Sequence, residues 1–387
     1  MVSSAGMDDF WLWLLSVPGV GSGMISRIRE DHGSNDSIRS IVERISHTLH
    51  RSVSIVGWME QVGTYKDSLK RNGVKIIPYW SGEYPELLRQ IPDYPAFLFC
   101  KGRCMPCDLG LPVAVVGTRS MTEYGSSVVS EIVPFLVSSG ISVVSGLAYG
   151  VDAAVHKQVL LCRGNQKFPC LGNHRGTSFP VAVLPGSPVG GYPVANKRIF
   201  DQICQQGVVV WEHLPGVPLT RGLFASRNRI IAGISTAVVV IESRASGGSL
   251  ITASCALDYN RDVGAVPGSV FSTCSDGTNA LIEQGACVVR NGADVLGMLD
   301  IGGNFECMTH EEMSPINRVV QSVLGLSDVQ LKDLVPVLYT EGVSLEVLAK
   351  KGGREIASLR SSLTKLEVEG ILRLDSNGTV KLLRAHT

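Results

Sequence analysis

From Val113 to Arg290 the chain alternates short apolar runs with longer segments in which apolar residues recur every three or four positions. The runs VAVV (113–116), ISVV (141–144), VAVL (181–184), VVVW (208–211), AVVVIE (237–242), VGAV (263–266) and CVVR (287–290) predict strands. The intervening segments predict helices at 125–138, 151–161, 195–205, 226–234, 249–258 and 278–284. A strand that is apolar on both faces belongs in a sheet covered on both sides, and strict strand–helix alternation makes that sheet mainly parallel.

The strands end on small or polar residues. VAVV runs into Gly117-Thr118-Arg119, ISVV into Ser145-Gly146, and AVVVIE leads to Gly247-Gly248-Ser249 at the start of a helix. Open parallel sheets bind ligands beyond the carboxyl ends of their strands, where helix N-termini offer N–H groups. Glycine, hydroxyl and arginine at several such ends point to an anionic ligand with more than one phosphate. Arg119 can take a phosphate oxygen pair, with Thr118 and N–H groups near Gly117 as added donors. Arg221, Arg227, Asn228 and Arg229 flank Phe224, a basic stretch with one aromatic, suited to a sugar-phosphate backbone with a base stacked beside it. Gly247, Gly248 and Ser249 suggest an anion nest. At least one of Arg227 and Arg229 is expected to be structural instead, with Glu242 or Glu212 as the partner that would brace the sheet.

The flanks differ from the centre. FWLWLLSVPGVGSGMISRIREDHG predicts two helices joined by a tight turn, a helix-hairpin-helix pattern. It fits either a phosphate grip or a plain helical interaction domain. Residues 315–387 predict three helices and a terminal hairpin turning at Ser376-Asn377-Gly378, the pattern of a winged helix. Its recognition helix would expose Arg354, Arg360 and Lys365, to touch either DNA or a protein.

Composition narrows the classes. The 387 residues carry 35 Lys+Arg against 35 Asp+Glu, so phosphate binding has to rest on a local patch. At 44% hydrophobic the chain can fill two or three cores. Ten cysteines without framework spacing, no signal segment and no spanning run predict a cytoplasmic protein with reduced thiols and no membrane association. Cys100, Cys104 and Cys107 have a spacing seen in iron–sulfur sites, but Cys100 ends an apolar strand and no metal site is assigned. Asp152 and His156 lie four apart on one helix face, yet two ligands do not make a metal or catalytic site, and no catalytic residue is assigned. No strand is followed by GxGxxG, which weighs against a dinucleotide oxidoreductase.

VAVVGTRSMTEYG, ISVVSGLAYGVDAAVH, YPVANKRIFDQI, FASRNRIIAGIS, SGGSLITASCAL, DVGAVPGSV and SDGTNALIEQGA together resemble, in order and spacing, the DNA-processing protein A family (DprA, also called Smf). The resemblance implies an α/β protein with an extended Rossmann-like, doubly wound sheet. It adds a small N-terminal helical domain of helix-hairpin-helix or SAM-like type and a C-terminal winged helix. The expected boundaries are 1–75, a connector at 76–112, the sheet domain at 113–300, a linker at 301–314, and 315–387. It implies a mediator that binds and protects incoming single-stranded DNA and loads the RecA recombinase during natural transformation, with no cofactor and no catalysis. The DNA-binding set would be Gly117, Thr118, Arg119, Ser145, Gly146, Lys197, Arg221, Phe224, Arg227, Asn228, Gly247, Gly248 and Ser249. A homodimer would form through Asn279, Leu281, Ile282 and Val288. Val194 stands where the family often has lysine, so Lys197 or Arg198 would supply that charge; the segments 185–191 and 162–180 also depart from the family. The competing class is a nucleotide hydrolase of the lysine-decarboxylase-like phosphoribohydrolases, but SGGSLITASCA lacks the carboxylate that such chemistry needs.

Overall fold

The computed structural model describes residues 4–32, 37–164, 178–189, 196–299, 343–353, 356–368, 372–375 and 379–382. Val194, most of the 162–180 segment, the 301–314 linker, residues 315–342, Arg354, the Lys365 side chain and the turn Ser376-Asn377-Gly378 lie outside the described residues. The chain divides into two compact units, Met1–Ile301 and Gly302–Thr387.

The first unit is built on nine strands: β1 (Lys75–Pro78), β2 (Phe97–Gly102), β3 (Pro112–Val116), β4 (Ser142–Ser145), β5 (Pro180–Val183), β6 (Val208–Trp211), β7 (Ala237–Val240), β8 (Asp262–Ala265) and β9 (Cys287–Val288). Their spatial order is β1-β2-β6-β5-β4-β3-β7-β8-β9. All pairs from β6 to β9 are parallel, and β1 and β2 run antiparallel at one edge. The segment 76–112, expected as a connector, thus completes the sheet. Phe99 and Cys100 pair with Trp211 and Val210.

Alternation along each strand fixes the two faces. Val113 and Val115 pack with Val129, Ile132, Val133 and Leu136 of α6 (Glu123–Ser138) and with Val151, Val155 and Val159 of α7 (Val151–Gly164). Ala114 and Val116 face the other way, toward Ile230 and Ile231 of α9 (Arg221–Ile234) and Ala253 and Ala256 of α10 (Gly248–Asp258). Helices on both faces explain why these strands are apolar throughout.

Four N-terminal helices, α1 (Ser4–Leu14), α2 (Ser22–His32), α3 (Ile38–Thr48) and α4 (Trp58–Arg71), share a core with Phe97, Phe99, Val209 and Trp211. The hairpin between α1 and α2 is turned partly inward. The Ser22 hydroxyl donates to Glu212 at 2.7 Å, and the Pro18 carbonyl accepts from the Arg51 guanidinium. The turn residues Pro18, Gly19 and Gly21 are exposed.

In the second unit, described residues form a three-stranded antiparallel sheet of Val343–Ser344, Thr379–Leu382 and Leu372–Leu374, with helices Leu345–Gly352 and Ile356–Val368. Arg360 is exposed on the second of these helices. No helix among the described residues is long and apolar enough to cross a membrane.

Candidate nucleic-acid interface

The chain leaves β3 toward β4, β5 and β6 on one side, then returns to β7, β8 and β9 on the other. The switch point lies between β3 and β7, the place beyond the strand ends where open parallel sheets form their ligand crevice. Three loops meet at it: the turn after β3, the loop after β4 and the loop after β7.

The turn after β3 is tied to β7. Thr118 N–H donates to the Glu242 carbonyl at 2.8 Å. The buried Glu242 carboxylate accepts from Thr122 N–H at 2.9 Å and from the Thr122 hydroxyl, at the N-terminus of α6. A carboxylate at a helix N-terminus occupies the position that an anionic ligand would otherwise take. The Thr118 hydroxyl accepts from Ser120 N–H. The N–H groups of Thr118, Ser120 and Thr122 are thus committed internally, and the turn's outward group is the exposed Arg119 side chain.

Arg119 reaches across the crevice. Its guanidinium carbon lies 5.2 Å from the centre of the Phe224 ring, a cation–π distance. Phe224 is half-buried on the first turn of α9, three residues after the exposed Arg221, so both lie on one helix face. The helix begins at Arg221, five residues before the start expected from sequence, with Thr220 extended as its cap.

Arg227 lies deeper and has a different role. At 6% exposure it donates to the Gly146 carbonyl at 2.7 Å, to the Val183 carbonyl and to Asn228 Oδ1 at 3.1 Å. Asn228 in turn donates to the Gly248 carbonyl at 3.1 Å. Arg229 pairs with Glu212 at 2.6 Å. Both arginines therefore brace the sheet, where at least one was expected to, and Arg227 and Asn228 are corrected from DNA contacts to internal supports. Asp152, fully buried on α7, lies beside Arg227. Burial raises its pKa, while the Arg227 charge and the Ala148 and Gly146 N–H groups oppose the rise.

Ser145 is also an internal group, its hydroxyl bound to the Val115 carbonyl at 2.7 Å. Gly146 is buried; a Cβ there would run into the Arg227 guanidinium and Asp152, so glycine lets the arginine pass close beneath the backbone. At the third loop, the Ser249 hydroxyl donates to Ser243 at 2.9 Å, and Gly248 is exposed at the first position of α10. Lys197 is exposed at the start of α8 (Lys197–Gln206). Sequence reasoning missed Arg244, exposed in the β7–α10 loop; it missed the brace role of Asn196, whose amide donates to the Leu147 carbonyl at 2.9 Å; and it missed Tyr149.

At the other end of the sheet, the expected dimer residues divide. The Asn279 amide closes a loop through both Gly268 N–H (3.2 Å) and the Gly268 carbonyl (3.1 Å), and Leu281 is buried in the core. These two are corrected to internal roles. Ile282 is half-buried, and Val288, 45% exposed, sits on the last strand.

The site is thus a parallel-sheet switch point whose buried charged groups are hydrogen-bonded from within and whose outward groups are cationic and aromatic. Residues 75–300 match the family model described as DNA recombination-mediator protein A. The DNA processing protein DprA of Bacillus subtilis is 34% identical over 226 residues, which is 58% of this chain and 71% of that one. Protein Smf of Escherichia coli is 28% identical over 382 residues, covering 97% of this chain and 96% of its own. The X-ray structure of DprA from Streptococcus pneumoniae superposes with a TM-score of 0.60 at 30% identity, covering 75% of this chain and 97% of that one. The chain belongs to the DNA recombination-mediator protein A family, known as DprA or Smf. That family is one of recombination mediators rather than enzymes.

Proposed function

We propose that the chain binds single-stranded DNA along the crevice between β3 and β7 and acts there as a recombination mediator. The observation that carries this reading is the Arg119–Phe224 pair: a cation and an aromatic face held together at the mouth of the crevice. Single-stranded DNA offers spaced phosphates and unstacked bases, and such a pair can engage one of each. Arg221, Lys197 and the exposed end of α10 at Gly248 extend the cationic surface. Gly117, Thr118, Ser145, Gly146, Arg227, Asn228, Gly247 and Ser249 shape the crevice from within.

Protection of incoming DNA, RecA loading in natural transformation and a cytoplasmic site of action are part of the same proposal, with family membership as their support. Self-association through Ile282 and Val288 is supported by the exposed edge at β9, because an open strand edge is a pairing surface. The C-terminal unit is read as a winged helix serving as an accessory module, and residues 1–75 as a docking domain.

The test is competitive binding of single- and double-stranded oligonucleotides of equal length. Preference for the single strand, without sequence choice, supports the proposal. Equal affinity for duplex, or release of base from a nucleoside monophosphate, contradicts it. Improved RecA strand exchange on DNA coated with single-strand-binding protein tests the mediator role.

A further inference from the structure

The loop between β4 and α7, residues 146–150, is held with unusual thoroughness for so short a connection. Its Gly146 carbonyl accepts from buried Arg227, its Leu147 carbonyl from Asn196, and its Ala148 N–H donates to Asp152 at 3.4 Å. Leu147 is buried and has a left-handed backbone with φ of 53°, which is strained for a leucine. Gly150 has φ of 74°, and a Cβ there would collide with the Thr118 carbonyl and the Arg119 backbone. The loop is therefore pressed against the turn that carries Arg119.

The residue this arrangement displays is Tyr149. It is 61% exposed, while Gly146 and Leu147 are buried. A strained loop braced by three side chains from three separate elements (α7, α9 and the start of α8) leaves one aromatic facing solvent, next in chain to the residue that abuts Arg119. Strain and support of this kind gather where a side chain must be presented in a fixed position.

Resting on the proposed single-stranded DNA reading, we infer that Tyr149 is a second base-stacking platform, presented by the loop that abuts the Arg119 turn. The strand would then be held by arginine at its phosphates and flanked by two aromatic faces. The Tyr149 hydroxyl is not needed for this; the ring is.

The test uses the full chain and two fluorescent probes of about 20 nucleotides, oligo-dT and an abasic strand of equal length. Tyr149→Ala is expected to weaken oligo-dT binding about tenfold, Tyr149→Phe to bind within about twofold of wild type, and both to bind the abasic strand as wild type does. Arg119→Ala is expected to lose affinity for both probes. Unchanged oligo-dT binding by Tyr149→Ala, or an equal loss on both probes, overturns the stacking role while leaving the phosphate reading intact. Failure of the wild-type chain to bind oligo-dT overturns both. Photocrosslinking of a bromouracil-substituted strand to the wild-type chain gives a readout that needs no variant. A crosslink at Tyr149 supports the role, and crosslinks confined to other residues oppose it.

Discussion

Arg119 and Arg227 show how one side-chain type serves opposite ends of the same site. Arg119 is exposed and lies over the Phe224 face, so its charge is available to a ligand. Arg227 is buried among carbonyls beside Asp152, so its charge is spent on the fold. Arg119→Ala should keep the thermal midpoint of wild type yet lose tenfold or more in single-stranded DNA affinity, since a charge-assisted contact contributes about 1.5–3 kcal/mol. Arg227→Ala should do the reverse in emphasis. It strands a buried carboxylate and costs about 3–5 kcal/mol of stability, read as a lower denaturant midpoint. The sequence made Arg119 legible because a glycine turn at a strand end announces exposure. It could not separate Arg227 from Arg221, because both sit in one polar-looking stretch, and only the packing of α9 under the Gly146 loop tells them apart.

Among the elements, α7 carries a pH response. His156 is fully buried there, and burial pushes its pKa down to about 3, with the Arg227 charge acting in the same direction. The unfolded imidazole titrates near 6.5, so as pH falls below that value the unfolded chain takes up a proton that the folded chain refuses. Stability is therefore full above about pH 6.5 and declines as pH falls toward 3. Asp152, with its pKa raised by burial, contributes the opposite sign: the folded chain holds a proton that the unfolded chain has released, so its contribution grows as pH falls. The thermal midpoint should fall between about pH 7 and pH 5, and fall less in His156→Leu. Equal declines in the two proteins would rule out His156 as the cause. The parallel strands from β3 to β9 were legible because burial on both faces leaves unbroken apolar runs. Strand β1 was not, because Pro78, Gly82 and Pro85 punctuate that segment like a connector; the apolar run ending at Cys100 was legible as a strand, but its place in the sheet was not, because that comes from antiparallel pairing with β6.

At the scale of the whole molecule, the sheet has unlike ends. Beyond β6 the antiparallel strands and N-terminal helices cover it, whereas β9 is a two-residue last strand with Val288 exposed. If that edge pairs with a second copy, Val288→Asp should shift the chain from dimer to monomer by light scattering without changing its melting curve. A wild-type chain that is monomeric at micromolar concentration would exclude this contact. The α/β class could be read from strand–helix alternation alone. The inward placement of Asn279 and Leu281 could not, since an amphipathic helix does not reveal which of its faces meets its own core. The central claim, that a strand of DNA lies against Arg119 at the β3–β7 crevice, is tested most directly by salt-titrated binding of oligo-dT to the wild-type chain and to Arg119→Ala. Each phosphate contact on a single strand contributes a slope of about −0.7 to log affinity against log salt. The account predicts a steep wild-type dependence and a shallower one in Arg119→Ala, by about one contact. Identical slopes and affinities in the two proteins would contradict it.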